Sequence, residues 1–153
     1  MFGTEVTLEW FDTSLWSVDG TFATAPSLFY QFLTIHAHRR NTALPCLFIL
    51  LPGKSEEIYT RMLEQLKQLR PQLNPRKIIS DFEKAILNSF HNIFPFASQH
   101  GCFFHFTEAV FKQLQAHGLQ SEYENNKGRR FTHEFRQLVS LAFLPENEVE
   151  IGF

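Results

Sequence analysis

A chain of 153 residues, 44% apolar and 20% charged, with 18 phenylalanines and a net charge of −2, is sized for one domain and composed for a packed core. A chain of that length buries roughly 70% of the surface its unfolded form exposes, so it needs no disulfide staple. The charge balance excludes a strongly basic nucleic-acid binder, and any contact with DNA must use local positive charge or charge supplied by other segments.

The two cysteines, Cys46 and Cys102, each stand in an apolar run and read as buried small residues in a reducing compartment. They are too few for a zinc ribbon. No apolar run reaches about 18 residues, so no membrane span is expected. Met1-Phe2-Gly3-Thr4-Glu5 lacks a basic segment followed by an apolar stretch, and no secretion leader is expected there. The closing Glu148-Val149-Glu150-Ile151-Gly152-Phe153 reads as the middle of an element, as in a fragment or a truncated product.

In chain order, residues 15–18 read as a strand with Trp16 and Val18 on one face, ended by Asp19-Gly20. Ala25-Pro26-Ser27 marks a connection of hairpin size to a second strand over 29–36. Residues 44–51 form a third, almost continuously apolar, as in a strand covered on both faces, with Pro45 near its start and Pro52-Gly53 at its end. Ser55 is a good N-cap, and Glu56 and Glu57 suit the positive end of the helix dipole. Ile58, Met62, Leu66 and Leu69 make the apolar face of this helix, which Pro71 closes. A short fourth strand covers 77–80. The next helix carries Phe82, Ile86, Phe90 and Ile93 and stops at Pro95. A fifth strand is expected over 101–104, beginning as early as Phe96, and a third helix from Phe106 to Gly118. Residues 121–130 are polar and turn-like, and a last helix carries Phe135, Leu138, Val139 and Ala142 before Pro145.

The order β-β-β-α-β-α-β-α predicts an α/β fold: a mixed five-stranded sheet, three strands antiparallel and two added in parallel through right-handed crossovers, with helices on its faces. It resembles the ribonuclease-H-like arrangement, in which strand four lies beside strand one. Residues 1–120 would form this core. Residues 121–153 would begin a helical insertion or a C-terminal extension.

That order brings Asp19 and Asp81 to one carboxyl edge, where open α/β sheets place ligands. Carboxylates converging from different strands are what hard divalent ions need for phosphoryl transfer. Spacing alone leaves a plainer reading open. Asp19-Gly20 is also an ordinary turn dipeptide. Ser80-Asp81-Phe82-Glu83 also fits a capping box, with Ser80 as N-cap and Glu83 three residues on.

Several blocks, in order, resemble the Mutator-like element (MULE) transposase domain. They are Asp19-Gly20-Thr21-Phe22 with Pro26, Phe29, Gln31 and Ile35-His36; Leu51-Pro52 with Lys54-Ser55 and Tyr59; Ser80-Asp81-Phe82-Glu83 with Ala85, Asn88 and Phe94-Pro95; Gly101-Cys102-Phe103-Phe104-His105-Phe106; and Leu141-Ala142-Phe143-Leu144-Pro145. The resemblance implies a ribonuclease-H-like core of a DDE-type, cut-and-paste DNA transposase. Asp19 and Asp81 would be its first two catalytic, metal-binding acids, holding Mg²⁺ or Mn²⁺. Transposon ends and target DNA would be its partners, with a homo-oligomer and a nuclear location. Its third acid would be a Glu beyond a helical insertion, which neither Glu108 nor Glu146, Glu148 or Glu150 matches. Cys102 and His105 match the family's Cys-x-x-His block and are accessory candidates. The alternatives are an inactive, domesticated or decayed derivative that binds DNA or protein without cleavage, and an unrelated α/β domain. The basic turns His36-Ala37-His38-Arg39-Arg40 and Lys127-Gly128-Arg129-Arg130 read as solvated loops before phosphate contacts. The phenylalanines, Trp10 and Trp16 read as core before base-stacking groups.

Overall fold

In the computed structural model, which describes residues 1–12, 14–125 and 130–152, five strands form one mixed sheet. They are β1 (Leu15–Thr21), β2 (Gln31–Arg39), β3 (Thr42–Leu51), β4 (Lys77–Ser80) and β5 (Ser98–Gly101), in the order β3-β2-β1-β4-β5. β1 to β3 are antiparallel, and β4 and β5 join in parallel. This is the expected α/β, ribonuclease-H-like sheet. By contacts the chain divides into two compact units, Met1–Cys102 and Phe103–Phe153.

The first unit holds the sheet with α1 (Glu5–Trp10), α2 (Glu56–Leu69) and α3 (Lys84–Ile93). Strand alternation sends Trp16, Val18, Leu33, Ile35, Leu47, Ile49 and Ile78 to one face, where they form a core with Met62, Leu63 and Leu66 of α2 and Ile86 and Phe90 of α3. Trp16 is fully buried, stacked on Phe11 at 4.2 Å and edge-on to Phe94 at 5.4 Å, and its indole N–H donates to the Phe11 carbonyl at 3.1 Å. β2 and β3 meet at a two-residue turn in which Arg40 and Asn41 take φ of 48° and 64°, the left-handed pair that matches strand twist. β3 lies at the sheet edge, and Phe2 covers part of that edge through paired backbone hydrogen bonds with Phe48 at 2.8 and 2.9 Å.

Several local expectations are corrected. Asp19-Gly20 does not end β1, because pairing with β2 carries the strand on to Thr21. His36 to Arg39 belong to β2, not to a turn. On β3, Leu47, Ile49 and Leu51 are buried while Phe48 and Leu50 are half-buried, so one face is covered more than the other. The buried stripe of α2 is Tyr59, Met62, Leu63 and Leu66, and Leu69 is 69% exposed: the helix meets the sheet about one position round from the predicted face. β5 ends at Gly101, and Phe103 and Phe104 open a helix instead of closing a strand. Short apolar runs do not distinguish the two. Cys46 is buried, but Cys102 is half-buried. Many phenylalanines also lie outside the core, Phe22, Phe82, Phe96 and Phe104 among them.

The second unit contains α4 (Phe103–Ala116), α5 (Gln120–Asn125), α6 (Arg130–Ser140) and α7 (Val149–Gly152). Gly118, at φ 72°, ends α4 as expected. The segment read as turn-like contains α5, whose Tyr123 ring sits edge-on to Phe111 at 5.6 Å and Phe135 at 5.1 Å. Of the basic turn at 127–130, the first three residues lie outside the described residues, and Arg130 opens α6.

The placement of α2 is testable by denaturant unfolding. Leu63→Ala, at a fully buried position, should cost about 2–5 kcal/mol, and Leu69→Ala less than about 0.5 kcal/mol. Equal losses would mean that α2 faces the sheet differently.

Candidate acidic site at the carboxyl edge

β1 and β4 pair in parallel with Leu15 opposite Lys77, Trp16 opposite Ile78 and Ser17 opposite Ile79. Continued two residues past the last pair, this register aligns Asp19 with Asp81. Asp19, inside β1, lies on the face of Ser17, since side chains alternate along a strand, and Asp81 follows the carboxyl end of β4. Asp19 is exposed and still paired with Thr34 of β2, while Asp81 is half-buried just beyond β4.

Asp81 is held by the turn it starts. Its Oδ1 accepts the backbone N–H of Glu83 at 3.0 Å, and the Ser80 hydroxyl donates to its carbonyl at 3.0 Å. The capping box does not form: Ser80 is the buried last residue of β4, and Glu83 is itself the N-cap of α3, making no side-chain capping bond. Phe82, placed on the apolar face of that helix by the sequence, precedes it. Its ring covers Gly101, where a Cβ would collide with it.

Glu83 turns its carboxyl inward instead. The Tyr59 hydroxyl donates to Glu83 Oε2 at 3.5 Å, and Gln31 Nε2 donates to the Tyr59 oxygen at 2.7 Å and to the Gly53 carbonyl at 3.4 Å. Gln31 and Tyr59 are each 1% exposed. Burial, with the negative charges of Glu83 and Asp81, pushes the Tyr59 phenol up to about 12 against a hydrogen bond from Gln31 that favours the phenolate, so the hydroxyl stays a donor. Burial also raises the Glu83 carboxyl, helped by Asp81 and opposed by Lys54 and the Tyr59 hydroxyl. Beneath β1, a Cβ added to Gly20 would stand 2.9 Å from Gln31 Oε1, so glycine is what lets the strand close on the amide.

Sequence reasoning gave Gln31 and Tyr59 no role and read Glu83 only as a cap. The usable signal was chemical: an amide and a phenol at positions that alternation and helical periodicity bury must find partners.

The accessory candidates fall in different units. Cys102 follows β5, and its N–H donates to the Ser80 carbonyl at 2.6 Å. His105 lies in the first turn of α4, edge-on to Phe104 at 5.6 Å. On the less covered sheet face, Ser17 Oγ and His38 Nε2 are 2.7 Å apart, and burial followed by the charge of His36 lowers the His38 imidazole. Among the described residues, no group of three or more His, Cys, Asp or Glu side chains is placed to hold a metal ion, so Glu83 does not join Asp19 and Asp81 in a three-donor set.

The sheet order and the mixture of antiparallel and parallel pairing define a ribonuclease-H-like α/β domain. The family model of the MULE transposase domain matches residues 15–109, more than half of the chain. The chain belongs to that family and carries a transposase-related domain. Among curated proteins, none matches it.

The raised Tyr59 value sets an alkaline prediction. Its folded-state contribution is whole below the ordinary phenol value of 10.0 and is lost as pH rises through about 12. Thermal unfolding of Tyr59→Phe should therefore lose less stability than the unmodified chain across that interval. Parallel losses would place the phenol elsewhere than against Gln31 and Glu83.

Proposed function

We propose that Asp19 and Asp81 are the first two acids of a DDE-type, cut-and-paste DNA transposase core, acting on transposon ends and target DNA in the nucleus as an oligomer. The observation that supports this most is the parallel register of β1 with β4, which runs to Ser17 and Ile79, two residues before each aspartate, within the segment matched to the family. The donors fit the group implied: carboxylate oxygens, one exposed and one half-buried, suit a hard ion such as Mg²⁺ or Mn²⁺ that keeps part of its water shell. Such ions supply charge neutralisation at the scissile phosphate and lower the pKa of the attacking hydroxyl or water.

The protein's own part is positioning. Asp19 is fixed by strand pairing on its β2 side, and Asp81 by the turn bond to Glu83. Lys54, close enough to act on the Glu83 carboxyl, is a basic group beside the edge and a candidate for phosphate contact. On this reading residues 1–120 are the core, and 121–153 begin a helical insertion or a C-terminal extension.

Calorimetric titration with Mn²⁺ tests the reading. The unmodified chain should bind, and both Asp19→Asn and Asp81→Asn should abolish binding. Binding that survives either change removes that aspartate from the site. Metal-dependent nicking of DNA by the same chain would establish cleavage. Metal and DNA binding without nicking would instead favour the inactive, DNA-binding derivative.

A further inference from the structure

Gln31, Tyr59 and Glu83 are polar groups in a place where apolar ones would pack. Replacing both partners of a buried hydrogen bond by apolar groups of similar shape is often close to neutral, so core packing alone does not call for this chain of donors. Its two ends are informative. At one end the Glu83 carboxyl receives the Tyr59 hydroxyl, while the Glu83 backbone N–H is the group that holds Asp81 Oδ1 at 3.0 Å. One residue thus joins the Tyr59 hydroxyl to the Asp81 carboxylate. At the other end the Gln31 amide lies under Gly20, so close that a methyl group there would push the amide aside, and Gly20 is bonded directly to Asp19. Between the ends stands Tyr59 of α2, fully enclosed and bonded to both.

We propose that Gln31, Tyr59 and Glu83 form a buried positioning brace that ties the turn carrying Asp81 to the strand carrying Asp19 and so sets the spacing of the two carboxylates. The proposal rests on the reading of those aspartates as metal-holding acids. None of the three brace residues touches the metal: each acts through the backbone beside an aspartate. Glu83 accepts a hydrogen bond in this arrangement and contributes no ligand, so a glutamine, whose amide oxygen also accepts, can replace it.

Mn²⁺ binding to the full chain, followed by loss of the free-ion electron paramagnetic resonance signal, tests the brace, with circular dichroism and thermal unfolding confirming that each variant folds. Tyr59→Phe, which removes one hydroxyl, and Glu83→Ala should each weaken binding about ten-fold or more, the usual cost of losing a group that orients a metal ligand. Glu83→Gln should restore most of what Glu83→Ala loses. Gly20→Ala, which displaces Gln31 without removing any polar group, should weaken binding as well and keeps the test alive if Tyr59→Phe fails to fold. If the unmodified chain binds Mn²⁺ through Asp19 and Asp81 but Tyr59→Phe, Glu83→Ala and Gly20→Ala bind equally well, the brace is wrong and the site stands. If Glu83→Gln loses as much as Glu83→Ala, the carboxylate is itself a ligand and the positioning role is overturned. No Mn²⁺ binding by the unmodified chain would remove the site and the brace together.

Discussion

The parallel pairing of β1 with β4 is the constraint on which the rest depends. Parallel neighbours cannot be joined by a tight turn, so β2, β3 and α2 lie between β1 and β4 in the chain, and the entropy of closing that long connection must be offset by packing. What meets it is the apolar layer of Trp16, Ile35, Ile78, Leu63 and Phe90, gathered on one face. The pairing then stops at Ser17 and Ile79, while β1 continues along β2 to Thr21 and β4 turns off into α3. Two strand ends that have been parallel separate there, with an aspartate on each. A sheet that continued its ladder through Asp19 and Asp81 would commit their backbones to each other and leave less room for a ligand between them.

The strands and their order were legible in the sequence because alternation, turn residues and the crossover rule act together. Ala25-Pro26-Ser27 and Pro52-Gly53 punctuate strands whose inward residues are nearly all β-branched or aliphatic. Where a single weak cue decided, the reading slipped. Gly101-Cys102-Phe103-Phe104 is apolar enough for a strand, yet the strand ends at Gly101, whose missing side chain admits the Phe82 ring, and the phenylalanines start α4. Leu69 fits the helical period of Met62 and Leu66 but lies at the end of α2, turned toward solvent. α1 and α5 are six residues each, too short for an apolar face to show.

The acidic edge was legible in part, for a related reason. Asp19 and Asp81 sit next to strand signals, so topology alone brings both to the carboxyl ends of neighbouring strands. The brace beneath them has no local signature. Gln31, Tyr59 and Glu83 come from β2, α2 and the cap of α3, and only the folded chain makes one amide, one phenol and one carboxyl consecutive. A glutamine opening a strand and a tyrosine on the inner stripe of a helix are recognisable as polar groups in need of partners. Which partners they find is tertiary information.

The electrostatics of the edge favour the same picture. A chain of net charge −2 that gathers Asp19, Asp81 and Glu83 at one end of its sheet repels a phosphodiester there unless cations intervene. Lys54 offsets part of that field at Glu83. Burial is the largest cause that raises the pKa of the Glu83 carboxyl, and the Tyr59 hydroxyl satisfies that carboxyl without adding charge. Asp19 is exposed and Asp81 half-buried at this edge. If the two aspartates hold divalent ions, the sign of the edge reverses where those ions sit, and Glu83, bonded to the Tyr59 hydroxyl, serves as support. This division accounts for a third carboxylate so near the first two without making it a ligand.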